Sequence, residues 1–125
     1  MARSLYALAL IAFALSVTAP AQARDEFKRG STAYTVGLYN SAARQWLTLV
    51  ERGNRAAQYN VGRLFYYGKG VRRNRIEAYK WFFIAPKNGV RRGDDAMRIA
   101  EQRMTSREIA EARVRAREWY RKNSS

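Results

Sequence analysis

The stretch AQYNVGRLFYYGKGVRRNRIEAYKWFFIAPKNG, residues 57–89, decides the fold of this chain. Apolar residues recur at helical spacing on both sides of a glycine loop that runs from Gly68 to Val71. Because apolar residues at i, i+3, i+4 and i+7 form one stripe on a helix, the stretch predicts two amphipathic helices joined by that loop. One such hairpin cannot bury its apolar stripes alone, so it needs neighbours of the same kind.

Similar patterns lie on both sides of this stretch. The motif Ala-x-x-Trp-apolar occurs at Trp46, Trp81 and Trp119, which are 35 and 38 residues apart (81 − 46 and 119 − 81) and are all the tryptophans of the chain. No window alternates like a strand. We therefore predict an all-α fold, a short α-solenoid of three stacked helical hairpins with six helices. The predicted hairpins span residues 24–54, 55–91 and 92–125.

The core of these hairpins is predicted from the residues that recur in them. Alanine lets helices approach closely, and tryptophan supplies most of the buried area. Gly62 costs up to ~1 kcal/mol inside a helix, which indicates a close approach to a neighbouring helix. The residues assigned to the repeat core are Trp46, Ala57, Gly62, Gly68, Gly70, Ala78, Trp81 and Trp119.

Helix ends can also be placed from the sequence. Thr105 with Glu108 has the form of a capping box and predicts the start of the last helix. Asn74 can cap the helix that contains Trp81. Pro86 is expected to weaken or end that helix. At the other end, apolar residues up to Tyr34 predict a rather short first helix.

The central stretch resembles the Sel-one-like repeat (SLR), a relative of the tetratricopeptide repeat. That family's pattern is A-x-x-x-L-G-x-x-Y-x-x-G-x-G-V-x-x-D-x-x-K-A-x-x-W-Y-x-K-A-A-x-x-G, from which Glu77, Ile84 and Pro86 depart. The flanking hairpins match it only in their second helices. The resemblance implies a right-handed α-solenoid and a binding scaffold that acts as an adaptor in larger assemblies. The matching residues are Ala57, Gly62, Gly68, Gly70, Val71, Ala78, Trp81, Ala85 and Gly89.

The amino terminus has the layout of a secretory signal peptide. Arg3 precedes the apolar run Leu5–Val17, and small residues follow up to Ala23. An uncleaved membrane anchor is the alternative, but this run is shorter than the ~20 residues that span a bilayer. We expect an exported protein, periplasmic or secreted. The predicted division is a signal peptide at 1–23, cleaved before Arg24, and a helical-repeat domain at 24–125.

Composition excludes several kinds of chemistry. The chain has 125 residues and neither histidine nor cysteine. Disulfides, imidazole or thiolate metal sites, and Ser-His-Asp or Cys-His catalysis are therefore excluded. No carboxylates pair at a spacing suited to acid–base work, and no glycine loop follows a strand to hold phosphate. We predict a protein that is not an enzyme and uses no metal or other cofactor.

Tyrosines on the first helix of the central hairpin form a candidate binding face. Tyr59, Arg63 and Tyr66 are spaced i, i+4 and i+7, off the apolar stripe, with Tyr67 beside them. Tyrosine and arginine dominate protein-binding hot spots, so these four residues are predicted to line a concave groove for a protein or peptide partner. The alternative is that the tyrosines only pack against the next hairpin.

Basic residues suggest a second type of partner. Lys plus Arg is 24 against 10 Asp plus Glu, a net charge of +14. The basic groups at the two helix junctions are expected along one edge of the solenoid, either as a solvated surface or as a site for anionic lipid, lipopolysaccharide or wall glycan. Export argues against nucleic acid, which becomes the partner only if the signal peptide is misread. The candidate anion-binding residues are Lys69, Arg72, Arg73, Arg75, Arg91 and Arg92.

Overall fold

A computed structural model describes residues 21–87 and 92–124, and all regular structure within these ranges is helical. The predicted all-α class and the six helices are confirmed. Most of the predicted signal peptide, together with Gly89 and Arg91, lies outside the described residues. The helices are α1 (21–35), α2 (Tyr39–Glu51), α3 (Arg55–Tyr67), α4 (Arg75–Lys87), α5 (Arg92–Glu101) and α6 (Ser106–Asn123).

Side-chain caps and a left-handed glycine define several helix ends. The Asn54 and Asn74 side chains each accept a hydrogen bond, at 3.1 Å, from the backbone N–H three residues further on. Thr105 and Glu108 form the full capping box before α6, with bonds of 3.1 and 3.2 Å. The caps predicted at Asn74 and Thr105 are thus confirmed. Gly68 ends α3 at φ +70°, a conformation that glycine adopts without strain.

Helix α1 is longer than its sequence suggested. It is helical throughout 21–35, and Ala23, Phe27 and Tyr34 all pack against the core that surrounds Trp46. Polar and charged residues separate these contact positions along the chain, so the apolar stripe is narrow. The sequence pattern therefore underestimated the length of the helix. Helix α4 continues one residue past Pro86, so that this proline lies in its last turn.

The first core cluster joins the first two hairpins, includes Ala116 of α6, and is built around tryptophan. Trp46 is only 2% exposed, and its indole Nε1 donates a hydrogen bond of 3.3 Å to the Phe27 carbonyl oxygen. Trp81 is 6% exposed. Trp119 lies edge-on to Trp81 with ring centroids 5.8 Å apart, but it is only partly buried. The sequence predicts Trp119 as a core residue; its ring does pack against the core cluster, but it lies at the edge of that cluster and keeps part of its surface exposed.

Helix α4 is the centre of the second cluster. It packs against α3, α5 and α6, and its buried side chains Ala78, Tyr79 and Phe82 meet apolar residues of all three neighbours. The two clusters share helices α4 and α6, since Trp81 and Ala116 belong to the first cluster and Phe82 and Ala112 to the second. The second and third hairpins are thus packed together on both sides of α4, as expected for stacked hairpins.

Two glycines of the central stretch allow close packing. A Cβ atom at Gly62 would overlap the ring of Phe82, so the absence of a side chain lets α3 approach α4. Gly70, at φ +74°, lies against the Tyr39 carbonyl and the Ala43 side chain of α2. The glycine loop is thereby docked onto the preceding hairpin.

Candidate partner-binding groove

A groove of about 220 Å³ opens between α3 and α5, with Phe82 of α4 beneath it. All four residues that the sequence proposed as a binding face line this one groove. The opposite wall comes from α5, which sequence reasoning did not include. The described residues that line it are Tyr59, Arg63, Tyr66, Tyr67, Phe82, Arg92, Asp95, Ala96 and Ile99.

The α3 wall is aromatic and partly self-supported. The rings of Tyr59 and Tyr66 lie 5.8 and 6.5 Å from the ring of Phe82, measured between centroids, and both tyrosines are half-buried. Tyr67 stands edge-on to Tyr66 at 5.0 Å and is 56% exposed. Tyr59 and Tyr66 therefore pack against α4 of their own hairpin, whereas the alternative interpretation expected packing against the next hairpin, and both also line the groove. Tyr67 is the most exposed of the three.

Arg63 is held in place from outside the groove. Its Nη2 atom donates a hydrogen bond of 3.3 Å to the hydroxyl of Tyr34 on α1, and its Cζ atom lies 5.0 Å from the centre of that ring. A guanidinium that stacks on an aromatic face loses less freedom when it binds a further group. The sequence could not show this contact, because the two residues are 29 positions apart.

The α5 wall adds charge and an apolar lip. Arg92, Asp95 and Ile99 are spaced i, i+3 and i+7, so they share one face of the helix. Ile99 is 53% exposed. Asp95 forms an ion pair with Arg98 on its own helix. The helical spacing of these residues was present in the sequence, but nothing in it indicated that this face would lie opposite α3.

Lys69 lies in a cage of tyrosine rings instead of facing solvent with the arginines that follow it. Its Nζ atom is 4.7 Å from the ring centre of Tyr39, 5.4 Å from that of Tyr34 and 5.6 Å from that of Tyr67. It also donates a hydrogen bond of 3.3 Å to the Tyr39 hydroxyl, and this bond is the main reason why the pKa of Lys69 is raised. The ammonium is thus already engaged within the protein.

The structure divides the six candidate anion-binding residues among different places. Lys69 belongs to the tyrosine cage, Arg92 lines the groove, and Arg91 lies outside the described residues. Arg72 and Arg73 remain exposed on the loop, and Arg75 is half-buried beside Glu108 in a separate depression. The sequence predicts that these charges spread along one edge and do not form one pocket; among the described residues Arg92 instead lines the groove, because the first turn of α5 lies next to α3.

Two polar networks tie the second and third hairpins together. Glu77 of α4 pairs with Lys80 at 2.8 Å and with Arg115 of α6 at 3.0 Å. Burial would raise the pKa of Glu77, but these two cations outweigh it and the pKa is lowered. Arg115 also donates a hydrogen bond of 2.7 Å to Glu111, one helical turn earlier on α6. The carboxylates of this network join α4 to α6 and are not part of the groove lining.

The second network surrounds Tyr79 of α4. Its hydroxyl donates a hydrogen bond of 2.8 Å to Glu101, and Arg113 donates one of 3.2 Å to that hydroxyl. Burial, and then the bond to Glu101, raises the pKa of Tyr79.

Within the described ranges, no group of three or more His, Cys, Asp or Glu side chains is arranged to hold a metal ion. Among the same residues, no helix has both the length and the apolar character needed to cross a membrane.

Comparison with known proteins identifies the class of fold. The chain is similar to the protective antigen c5321 of uropathogenic Escherichia coli, which displays an SLR fold, with 27% sequence identity and a TM-score of 0.69. The similarity covers 77% of this chain and 22% of that one, so this chain spans about a fifth of the length of the antigen. No family model matches the chain, and no curated protein matches it significantly. The protein has a Sel-one-like repeat fold, a helical-repeat scaffold, as the central stretch predicts.

Proposed function

We propose that the protein is a non-enzymatic, exported adaptor that binds a protein or peptide partner in the cell envelope through the groove between α3 and α5. The observation that carries the proposal is the exposure of the two lips. Tyr67 is 56% exposed on one side and Ile99 is 53% exposed on the other. Large side chains left open on both edges of a concave surface are typical of an interaction site.

The surroundings of the groove support a binding role. Its floor is aromatic, its walls come from helices that other contacts hold in place, and Arg63 is fixed by Tyr34. A preformed site loses little entropy on binding. Tyrosine and arginine are the residue types that most often carry binding energy in interfaces.

Selection from a displayed random-peptide library tests this function. Wild-type protein should enrich peptides, and the variant Tyr67→Ser with Ile99→Ser should lose them. The matched control is Val36→Ser with Val114→Ser, which removes two exposed apolar side chains, 65% and 44% exposed, elsewhere on the molecule. Peptides that bind the groove variant as well as the wild type would contradict the proposal, as would the absence of any enrichment.

Export is the second part of the proposal. The amino-terminal pattern of Arg3, the apolar run and the small residues before Arg24 supports it. The likeness to a bacterial protective antigen agrees with a location outside the cytoplasm. Amino-terminal sequencing of the protein purified from its host should give a chain that starts at Arg24. A chain that keeps residues 1–23 and stays in the cytoplasm would contradict export and would favour an intracellular partner.

A second candidate function, the binding of anionic lipid, lipopolysaccharide or wall glycan, rests on the loop arginines. Arg72 and Arg73 are exposed, and neither forms an ion pair with a carboxylate among the residues that the structure describes. Lys69 lies in the tyrosine cage and Arg92 lies in the groove, so neither adds its charge to this surface. Electrostatic attraction to a polyanion grows with the number of adjacent charges, so the loss of these two weakens the candidate. We therefore rank binding of an anionic polymer or lipid below binding of a peptide in the groove.

A further inference from the structure

We propose that the groove recognises an acidic peptide segment, in which a carboxylate side chain meets Arg63 and Arg92 beside an aromatic or branched aliphatic residue. This inference rests on the proposed function and adds the chemical class of the partner. Two features of the groove support it: the charges on its two walls, and the size and aromatic lining of its floor.

The two arginines face the groove from opposite walls. Arg63 belongs to α3 and Arg92 to α5. Within the part of the chain that the structure describes, neither forms an ion pair with a carboxylate. Arg63 donates to the Tyr34 hydroxyl through Nη2, which leaves further N–H donors of its guanidinium for a ligand. An arginine that has no carboxylate partner and keeps N–H donors available can bind a carboxylate, which accepts two parallel hydrogen bonds from one guanidinium.

The carboxylate that lines the groove does not cancel this charge. Asp95 is paired with Arg98, which is itself not part of the lining. With two arginines against one aspartate, Asp95, the lining of the groove keeps a net charge of +1. A positive groove attracts acidic segments and repels basic ones, so charge contributes to the choice of partner as well as to the rate of association.

The floor and lips fit one apolar side chain next to the acid. Phe82 forms the floor, Tyr59 and Tyr66 of the α3 wall pack against it, and Tyr67 and Ile99 form the lips. The volume of about 220 Å³ is below the ~300–1,000 Å³ of most small-molecule sites, so the groove suits one side chain with its backbone. The seven residue steps from Tyr59 to Tyr66 span about 10 Å at the helical rise of ~1.5 Å. About three extended residues cover that length.

A peptide array that presents every central tripeptide between Gly-Ser flanks tests the inference with fluorescently labelled protein. We expect tripeptides with Asp or Glu beside an aromatic or branched aliphatic residue to bind about tenfold more tightly than those with Asn or Gln at the same place. Arg92→Gln should reduce this preference, and Arg92→Glu should turn it towards Lys and Arg. Because Arg92 is exposed, both variants are expected to keep the fold, which circular dichroism checks.

Two further variants separate the groove from the general charge of the protein. Arg63→Gln with Arg92→Gln removes two positive charges at the groove, and Arg72→Gln with Arg73→Gln removes two elsewhere. Only the first pair should abolish the preference for acidic tripeptides. An equal loss in both would show non-specific attraction and overturn the inference.

The remaining outcomes distinguish the inference from the function on which it rests. Groove-dependent binding with no preference for acid over amide would overturn the acidic-peptide inference and leave the adaptor function standing. No binding to any tripeptide, together with no enrichment in the library selection, would contradict both. If anionic phospholipid vesicles bound the protein more tightly than the best tripeptide, and Arg63→Gln with Arg92→Gln removed that binding, the occupant would be a membrane surface and the inference would fall.

Discussion

The Lys69 ammonium lies 4.7 Å from the centre of the Tyr39 ring and donates a hydrogen bond of 3.3 Å to its hydroxyl. This contact joins the glycine loop of the central hairpin to the start of α2 in the preceding hairpin. It acts together with Gly70, which lies directly against the Tyr39 backbone. Lys69, which the sequence predicts as an anion-binding residue, thus connects two neighbouring repeats.

Lys69→Gln should therefore lower the melting temperature of the protein. The substitution keeps a polar side chain but removes the cation that faces three tyrosine rings. Arg73→Gln, in the same loop and exposed, is the matched control and should leave the melting temperature nearly unchanged. Thermal unfolding followed by circular dichroism compares the two variants. Equal shifts would show that the cage contributes nothing beyond general loop charge.

Gly62→Ala should destabilise the fold although alanine favours helices. Propensity alone predicts a gain of up to ~1 kcal/mol. The new Cβ would overlap the Phe82 ring, which is 2% exposed and lies between Tyr59 and Tyr66, so the ring has little room to move. Overpacking of this kind costs about 1–3 kcal/mol.

Urea denaturation measures the change in the free energy of unfolding for Gly62→Ala. Combining Gly62→Ala with Phe82→Leu removes the overlapping ring, so the double variant should lose less than the sum of the two single changes. A gain in stability from Gly62→Ala alone would show that α3 and α4 are further apart than described.

Glu77→Gln should destabilise the protein at neutral pH and much less in acid. The pKa of Glu77 is lowered in the folded state because Lys80 and Arg115 outweigh the effect of burial. A carboxylate with a lowered folded pKa stabilises the protein above its unfolded pKa, and the stabilisation is lost as the pH falls through the folded value. The difference in the free energy of unfolding between the wild type and Glu77→Gln should therefore shrink as the pH falls below about 4.5.

Urea denaturation at about pH 6 and about pH 3 checks this dependence on pH. Glu118→Gln is the control, since Glu118 is exposed on α6 and forms no ion pair with another described residue. Its effect should be small at both pH values. A Glu77→Gln effect that stays constant with pH would contradict the ionic explanation.

Vesicle binding should distinguish the loop arginines from the caged lysine. In sedimentation with anionic phospholipid vesicles at low salt, Arg72→Gln with Arg73→Gln should weaken binding by about fivefold for each arginine removed. Lys69→Gln should weaken it less than either arginine, because its ammonium is turned towards tyrosines. Vesicles of neutral phospholipid are the control, and added salt should weaken the binding. A loss with Lys69→Gln as large as for one arginine would contradict the cage.

Much of the candidate site was accessible from the sequence. The α3 wall follows from the spacing of Tyr59, Arg63 and Tyr66, since residues four and three apart on a helix share a face. The α5 wall could not be found in this way. Arg92 and Ile99 also share a face, but their position opposite Tyr67 depends on how two hairpins stack.

The fold itself was specified by local features of the chain. Apolar residues at helical spacing, the caps at Asn74 and Thr105 and the glycine loop act within a few residues of each other, so they can be detected without knowledge of the tertiary structure. The partners of Arg63 and Lys69, and the juxtaposition of the two groove walls, were decided only by the tertiary structure. The tyrosine hydroxyls that accept hydrogen bonds from these two cations lie 29 and 30 residues away, and tertiary packing brings such distant positions together.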